Sequence, residues 1–299
     1  MRYFTAHGEH RRLDSVSRRE LRGSFVELSD GVTHYELTGP DDGELVLLLG
    51  GLTIPLFYWD DLVAVLHTHG LRTLALSAYG RGYSDRVEAV HDEDLFVRQL
   101  TELGAALGLD GPRHVVGTSM GALVAMAYVT RQPALTTTLT LAGPAGLGAP
   151  AAPGWLLRSD TLVRTVARRF GRRILERHLS HNVGDPRLAA RLTAMILDSY
   201  TYEGSLYAMF ATLQGIPLAD RAETYRRAAQ ARVPTLLLWG ADDRVTPLDG
   251  LDRAVELLRP DRFHVIEDCG HMAPYERPGE VAAELVAFMT SAEARRPRS

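Results

Sequence analysis

The stretch Gly117-Thr118-Ser119-Met120-Gly121 constrains this chain more than any other. Arg113-His114-Val115-Val116 before it reads as a short buried strand, and Ala122 to Tyr128 after it reads as a helix. A serine between two small residues at a strand-to-helix turn is a nucleophile elbow. The turn is so sharp that the serine sits in strained backbone geometry, and the glycines keep bulk away from it. The following helix aims free N–H groups and its positive dipole end at any anion formed there.

A serine nucleophile also needs a base and a group that orients the base. Arg262-Phe263-His264-Val265-Ile266 reads as a strand, and His271 lies on the loop beyond its end. Pro234 to Trp239 is an apolar run suited to a central parallel strand, and it leads into Asp242 and Asp243. Alone, His271 reads equally as a surface histidine, and the aspartates as turn or helix-cap residues. Taken together they follow the chain order serine, acid, histidine, each after an expected strand.

These residues carry a resemblance to the α/β-hydrolase superfamily, over roughly residues 24 to 290. Leu45 to Leu52 resembles that family's third strand and oxyanion loop. Tyr79-Gly80-Arg81-Gly82-Tyr83-Ser84-Asp85 resembles its turn after the fourth strand. Gly240 to Pro247 resembles its acid loop, and Cys269-Gly270-His271 its histidine loop. The resemblance implies a mostly parallel sheet flanked by helices, with an inserted helical cap. It makes Ser119 the nucleophile, Asp243 the acid with Asp242 a neighbour, and His271 the base. It places the oxyanion donors on the backbone of Leu52 and Met120, and it requires no cofactor. The alternative acid position some members use is empty here, because Leu141-Ala142-Gly143-Pro144 carries no carboxylate. Two positions depart from the usual pattern. Gly50-Gly51 replaces His-Gly at the oxyanion loop, and Ser77 stands where many members carry a structural Asp.

The remaining sequence bounds the reading. Strands and helices alternate, and Phe25–Leu28 and Thr33–Leu37 read as an antiparallel pair leading into a parallel sheet. At 299 residues the chain suits one α/β domain with an insertion. We expect an N-terminal arm over 1–22, a core over 23–144 and 229–299, and a helical cap over 145–228. The arm is polar and arginine-rich without a signal-peptide core, and it reads as disordered or loosely packed. A net charge of −4 does not suggest nucleic acid, and no apolar run approaches the ~20 residues of a membrane span. The single cysteine, Cys269, fits a reducing cytoplasm and reads as a small residue of the histidine loop or a reactive thiol. No lysine is present, which removes Schiff-base chemistry. His67 and His69 lack a third metal ligand, and His178 and His181 read as a solvated helix face, so no metal is expected. A monomer or homodimer is expected.

Trp155, Leu156, Leu157, Met195, Ile196, Tyr200, Tyr202, Tyr207, Met209 and Phe210 make the cap apolar and aromatic. Thr53, Trp155 and Tyr207 are the candidates for substrate contact, and the expected substrate is a small apolar ester, thioester or lactone. Hydrolysis through an acyl-enzyme is the leading expectation. Three alternatives stay open. One is a non-hydrolytic tailoring reaction of secondary metabolism on the same triad: acyl elimination, acyl transfer or cyclisation. Another is carbon–carbon bond hydrolysis, because Gly143 to Gly148 resembles the segment before the cap in such enzymes, although Thr118 replaces their usual Asn. The last is a ligand-binding module on the same fold.

Overall fold

The computed structural model describes residues 1–148, 157, 159–179 and 183–291. Eight strands form one sheet: β1 (Ser24–Glu27), β2 (Val32–Thr38), β3 (Leu45–Leu49), β4 (Arg72–Leu76), β5 (Arg113–Thr118), β6 (Thr136–Ala142), β7 (Thr235–Gly240) and β8 (Arg262–Ile266). Their order is β1-β2-β4-β3-β5-β6-β7-β8. β2 pairs antiparallel with β1 and β4, and the remaining pairs are parallel. The runs Leu45–Leu49, Arg113–Thr118 and Thr235–Gly240 are buried throughout. That is why they read as continuous apolar segments rather than alternating ones.

Register fixes where a site can form. Leu49 lies beside Gly117, Gly117 beside Leu141, Ala142 beside Leu238, and Gly240 beside Ile266. The loops after β3, β5, β6, β7 and β8 therefore leave the sheet at one common edge. In open parallel sheets this carboxyl edge is where ligands bind.

Helices cover both faces of the sheet. α1 (Asp60–Thr68) packs with the C-terminal helix Pro278–Met289, and α2 (Glu93–Ala106) packs with α3 (Met120–Arg131). Asp92 caps α2 by accepting the Leu95 N–H, which ends the preceding loop cleanly. Between β6 and β7 lie α4 (Asp160–Leu179), α5 (Pro186–Ser199), α6 (Ser205–Gly215) and α7 (Ala222–Gln230). Asp185 caps α5 with Pro186 in its first turn. The expected cap boundary at residue 228 falls inside α7, and α7 packs on α3 and on α8 (Leu251–Leu258), in the layer against the sheet. α9 (Ala273–Glu276) and α10 (Pro278–Met289) complete the chain. Trp155, Leu156, His181 and the Ala149 to Pro153 part of the linker lie outside the described residues. No helix among the described residues is long and apolar enough to cross a membrane.

The N-terminal arm corrects the expectation of a loose segment. Phe4, Ala6 and Glu9 are buried. The Glu9 carboxylate accepts the N–H groups of Ala6, Gly204 and Leu206, the last two at the start of α6. The N–H groups of His10 and Arg11 donate to the Thr201 carbonyl, and Arg11 and Arg12 pair with Asp198 and Glu203. A carboxylate that satisfies orphan N–H groups at a helix start anchors a polar segment without a large apolar face.

Candidate active site

Ser119 sits between β5 and α3 with φ 54° and ψ −121°, a backbone state rare for a side-chain-bearing residue. Its surroundings explain the glycines. A Cβ on Gly117 would lie 2.6 Å from the Gly121 carbonyl oxygen, and one on Gly121 would lie 2.3 Å from the Leu49 carbonyl oxygen. The elbow and the end of β3 are thus in backbone contact, and neither position has room for a side chain.

The same contact accounts for Gly50-Gly51. A Cβ on Gly51 would stand 3.2 Å from Ser119 Cβ. Leu52 follows Gly51 directly in the chain, and Met120 follows Ser119 as the first residue of α3.

The acid and histidine loops meet at the same edge. His271 Nδ1 lies 2.8 Å from Asp243 Oδ2, and both side chains are buried. Asp243 Oδ1 accepts the N–H groups of Val245 and Thr246, each at 2.8 Å, and Oδ2 accepts the Thr246 hydroxyl at 2.7 Å. These donors fix the carboxylate as an acceptor, so the bond to Nδ1 is donated by the imidazole. His271 Nε2 is then the unprotonated nitrogen of the neutral ring. It is buried and has no hydrogen-bond partner among the described residues. Asp242 is exposed. Gly143, at the end of β6, would place a Cβ 3.1 Å from Asp243 Oδ2 and 3.3 Å from His271 Nδ1, so the pair also leaves no room for a side chain there.

Cys269 is fully buried, and burial pushes its thiol up to about 12. It is therefore a packed small residue and not a thiolate beside His271. Ser77 has a definite task. Its hydroxyl accepts the Leu56 N–H at 3.1 Å and lies 3.2 Å from His34 Nδ1, tying the end of β4 to the segment after the oxyanion loop. Thr53 is buried, and its hydroxyl has no hydrogen-bond partner among the described residues. Tyr207 is held among Tyr3, Phe4 and His91, with its hydroxyl toward the Val87 carbonyl; these contacts give it a packing role. His67 bonds Thr73, and no cluster of metal-ligating groups occurs among the described residues.

Two arginines of the segment after β4, Arg81 buried and Arg86 half-buried, escaped the sequence reading. Arg81 donates from Nε to the Leu52 carbonyl at 2.8 Å and from Nη1 to the Tyr79 carbonyl at 2.7 Å. Arg86 donates to the carbonyls of Ser84 and Ser199 and to the Ser205 hydroxyl. The sequence signal was the placement of Arg81 between the two glycines of the turn after β4.

Comparison with known proteins places this geometry in context. Residues 44–278 match the family described as alpha/beta hydrolase fold. A 2-hydroxy-6-oxo-6-phenylhexa-2,4-dienoate hydrolase of Comamonas testosteroni is 28% identical, over 89% of this chain and 94% of the relative. A non-heme chloroperoxidase of Streptomyces lividans is 25% identical, over 89% of this chain and 99% of the relative. Among solved structures, a thermophilic esterase of Thermogutta terrifontis superposes with a TM-score of 0.76 at 23% identity, covering 89% of this chain and 98% of the esterase.

Proposed function

The chain belongs to the α/β-hydrolase fold family and is an enzyme of that family; we propose that it cleaves a carboxylic ester, thioester or lactone of a small, largely apolar substrate through an acyl-enzyme on Ser119. One observation carries this reading: a buried His271–Asp243 pair whose open Nε2 belongs to the same carboxyl-edge loop cluster as the strained Ser119.

The reaction follows from the groups. Ser119 Oγ attacks the acyl carbon while His271 Nε2 takes its proton. Asp243 holds the Nδ1 proton and stabilises the imidazolium. The backbone N–H groups of Met120 and Leu52 receive the oxyanion, each worth ~3 kcal/mol of barrier. The imidazolium then protonates the leaving alcohol. Water, deprotonated by the same nitrogen, attacks the acyl-enzyme and releases the acid. The apolar cap and Thr53 supply the substrate surface, in a cytoplasmic enzyme that is a monomer or homodimer.

Carbon–carbon bond hydrolysis is the second reading. The name of the Comamonas testosteroni relative and the Gly143–Gly148 segment favour it, and Thr118 stands against it. Non-hydrolytic tailoring on the same groups is the third. A panel of p-nitrophenyl esters of graded chain length, run in oxygen-18 water, tests the proposal. Ester hydrolysis puts one oxygen-18 into each released acid. Rapid conversion to an alkene, ring or transferred acyl product without that label would overturn it.

A further inference from the structure

α4 forms the outer layer of the cap. Its seam of Val163, Ala167, Gly171, Leu175 and Leu179 is buried. Gly171 brings that seam onto α6, where an added Cβ would lie 3.3 Å from both Leu206 and Phe210. Residues 206 and 210 share one face of α6, and Ala208 lies on the opposite face. Ala208 abuts Gly80 in the turn after β4. α6 is thus sandwiched between the core and α4, and the far side of α4 faces water.

That side is not polar throughout. Leu162, Phe170 and Ile174 are 43%, 46% and 38% exposed, three of the six exposed large apolar side chains among the described residues. With the half-buried Val166 they fall four apart and make one row about 18 Å long. Single exposed apolar groups are ordinary, but a row of them on one helix is not. The adjoining row, three positions on, holds Arg169, Arg173 and Arg177, and Arg164, Arg168 and Arg172 lie beyond it. α4 carries six arginines against two carboxylates, Asp160 and Glu176, in a chain whose net charge is −4. Glu176 pairs with Arg172, and Arg164, Arg168, Arg169 and Arg173 form no ion pair among the described residues.

We propose that this face of α4 docks the enzyme on a lipid surface bearing anionic headgroups, with the row 162–174 entering the interface and the arginines beside it meeting the headgroup charges. Charge complementarity selects this occupant. A second copy packed through the same face would set the two sets of arginines against each other. A purely ionic partner would leave Leu162, Phe170 and Ile174 in water. A bilayer interface accepts both kinds of group, apolar side chains at the acyl boundary and cations at the charged surface. The proposal lies beyond the ester reading and does not depend on the chemistry at Ser119.

Co-sedimentation of the full chain with vesicles tests the docking face. Vesicles of phosphatidylcholine alone are compared with vesicles in which about a third of the lipid is phosphatidylserine. The partition coefficient should be about tenfold or more higher on the anionic vesicles, and it should fall as salt is raised. Phe170→Ser/Ile174→Ser and, separately, Arg169→Gln/Arg173→Gln should each lower it by about tenfold. All four positions are exposed, so Tm should stay close to the parent in both variants. If the first pair does not fold, Arg169→Gln/Arg173→Gln carries the comparison. No preference for the anionic vesicles would overturn the proposal. So would binding that survives loss of Phe170 and Ile174, because the face would then be purely ionic. A dimer in sedimentation equilibrium that Phe170→Ser/Ile174→Ser splits would give the row to a second copy and overturn it as well.

Discussion

At the scale of single residues, the two neighbouring aspartates give the sharpest contrast. Asp243 is buried against His271 and accepts two backbone N–H groups, whereas Asp242 faces solvent. Asp243→Asn should lower kcat by about 10⁴-fold through the wrong histidine tautomer. Asp242→Asn should stay close to the parent, and steady-state kinetics of the two variants would expose the opposite ranking. Cys269 gives a second expectation. Its thiol is buried and its pKa is raised to about 12, so it should resist a thiol reagent in the native protein and react fully after unfolding. Fast native labelling would contradict the packing seen here. The placement of Ser119, Asp243 and His271 just beyond β5, β7 and β8 was legible from the strand pattern and the order of the three residues. Ser77 was legible only as a departure. Its bonds to Leu56 and His34 depend on residues far away in sequence, which no local pattern announces.

At the scale of elements, the strands that read as apolar runs are those buried on both faces, and β1 and β2 pair antiparallel as Phe25–Leu28 and Thr33–Leu37 suggested. The N-terminal arm did not read correctly. Its anchor is one carboxylate at the start of α6, a contact spanning 195 residues of sequence, and a polar composition hid it. Glu9→Ala leaves three buried N–H groups without acceptors. It should cost about 3 kcal/mol in denaturant unfolding and speed amide exchange at Gly204 and Leu206. Unchanged exchange at those amides would show that the arm is held by other contacts.

At the scale of the whole molecule, stability should depend on pH through buried histidines. His34 and His91 are buried, and desolvation draws both down to about 4. The folded state then binds fewer protons than the unfolded chain between about pH 6.5 and pH 4. Their contribution is present above pH 6.5 and is lost as pH falls toward 4, at roughly 3 kcal/mol per histidine over that window. Tm should drop across the window, and a His34→Gln/His91→Gln pair should flatten the drop; an equal slope in the pair would contradict the assignment. The parallel sheet brings five loops to one edge, and the chemistry assigned to that edge rests on Ser119. Mass spectrometry after treatment with a fluorophosphonate tests this most directly. The account predicts a single adduct on Ser119 that Ser119→Ala abolishes and His271→Ala slows by orders of magnitude. An adduct that persists in Ser119→Ala, or that maps to another serine, would contradict it.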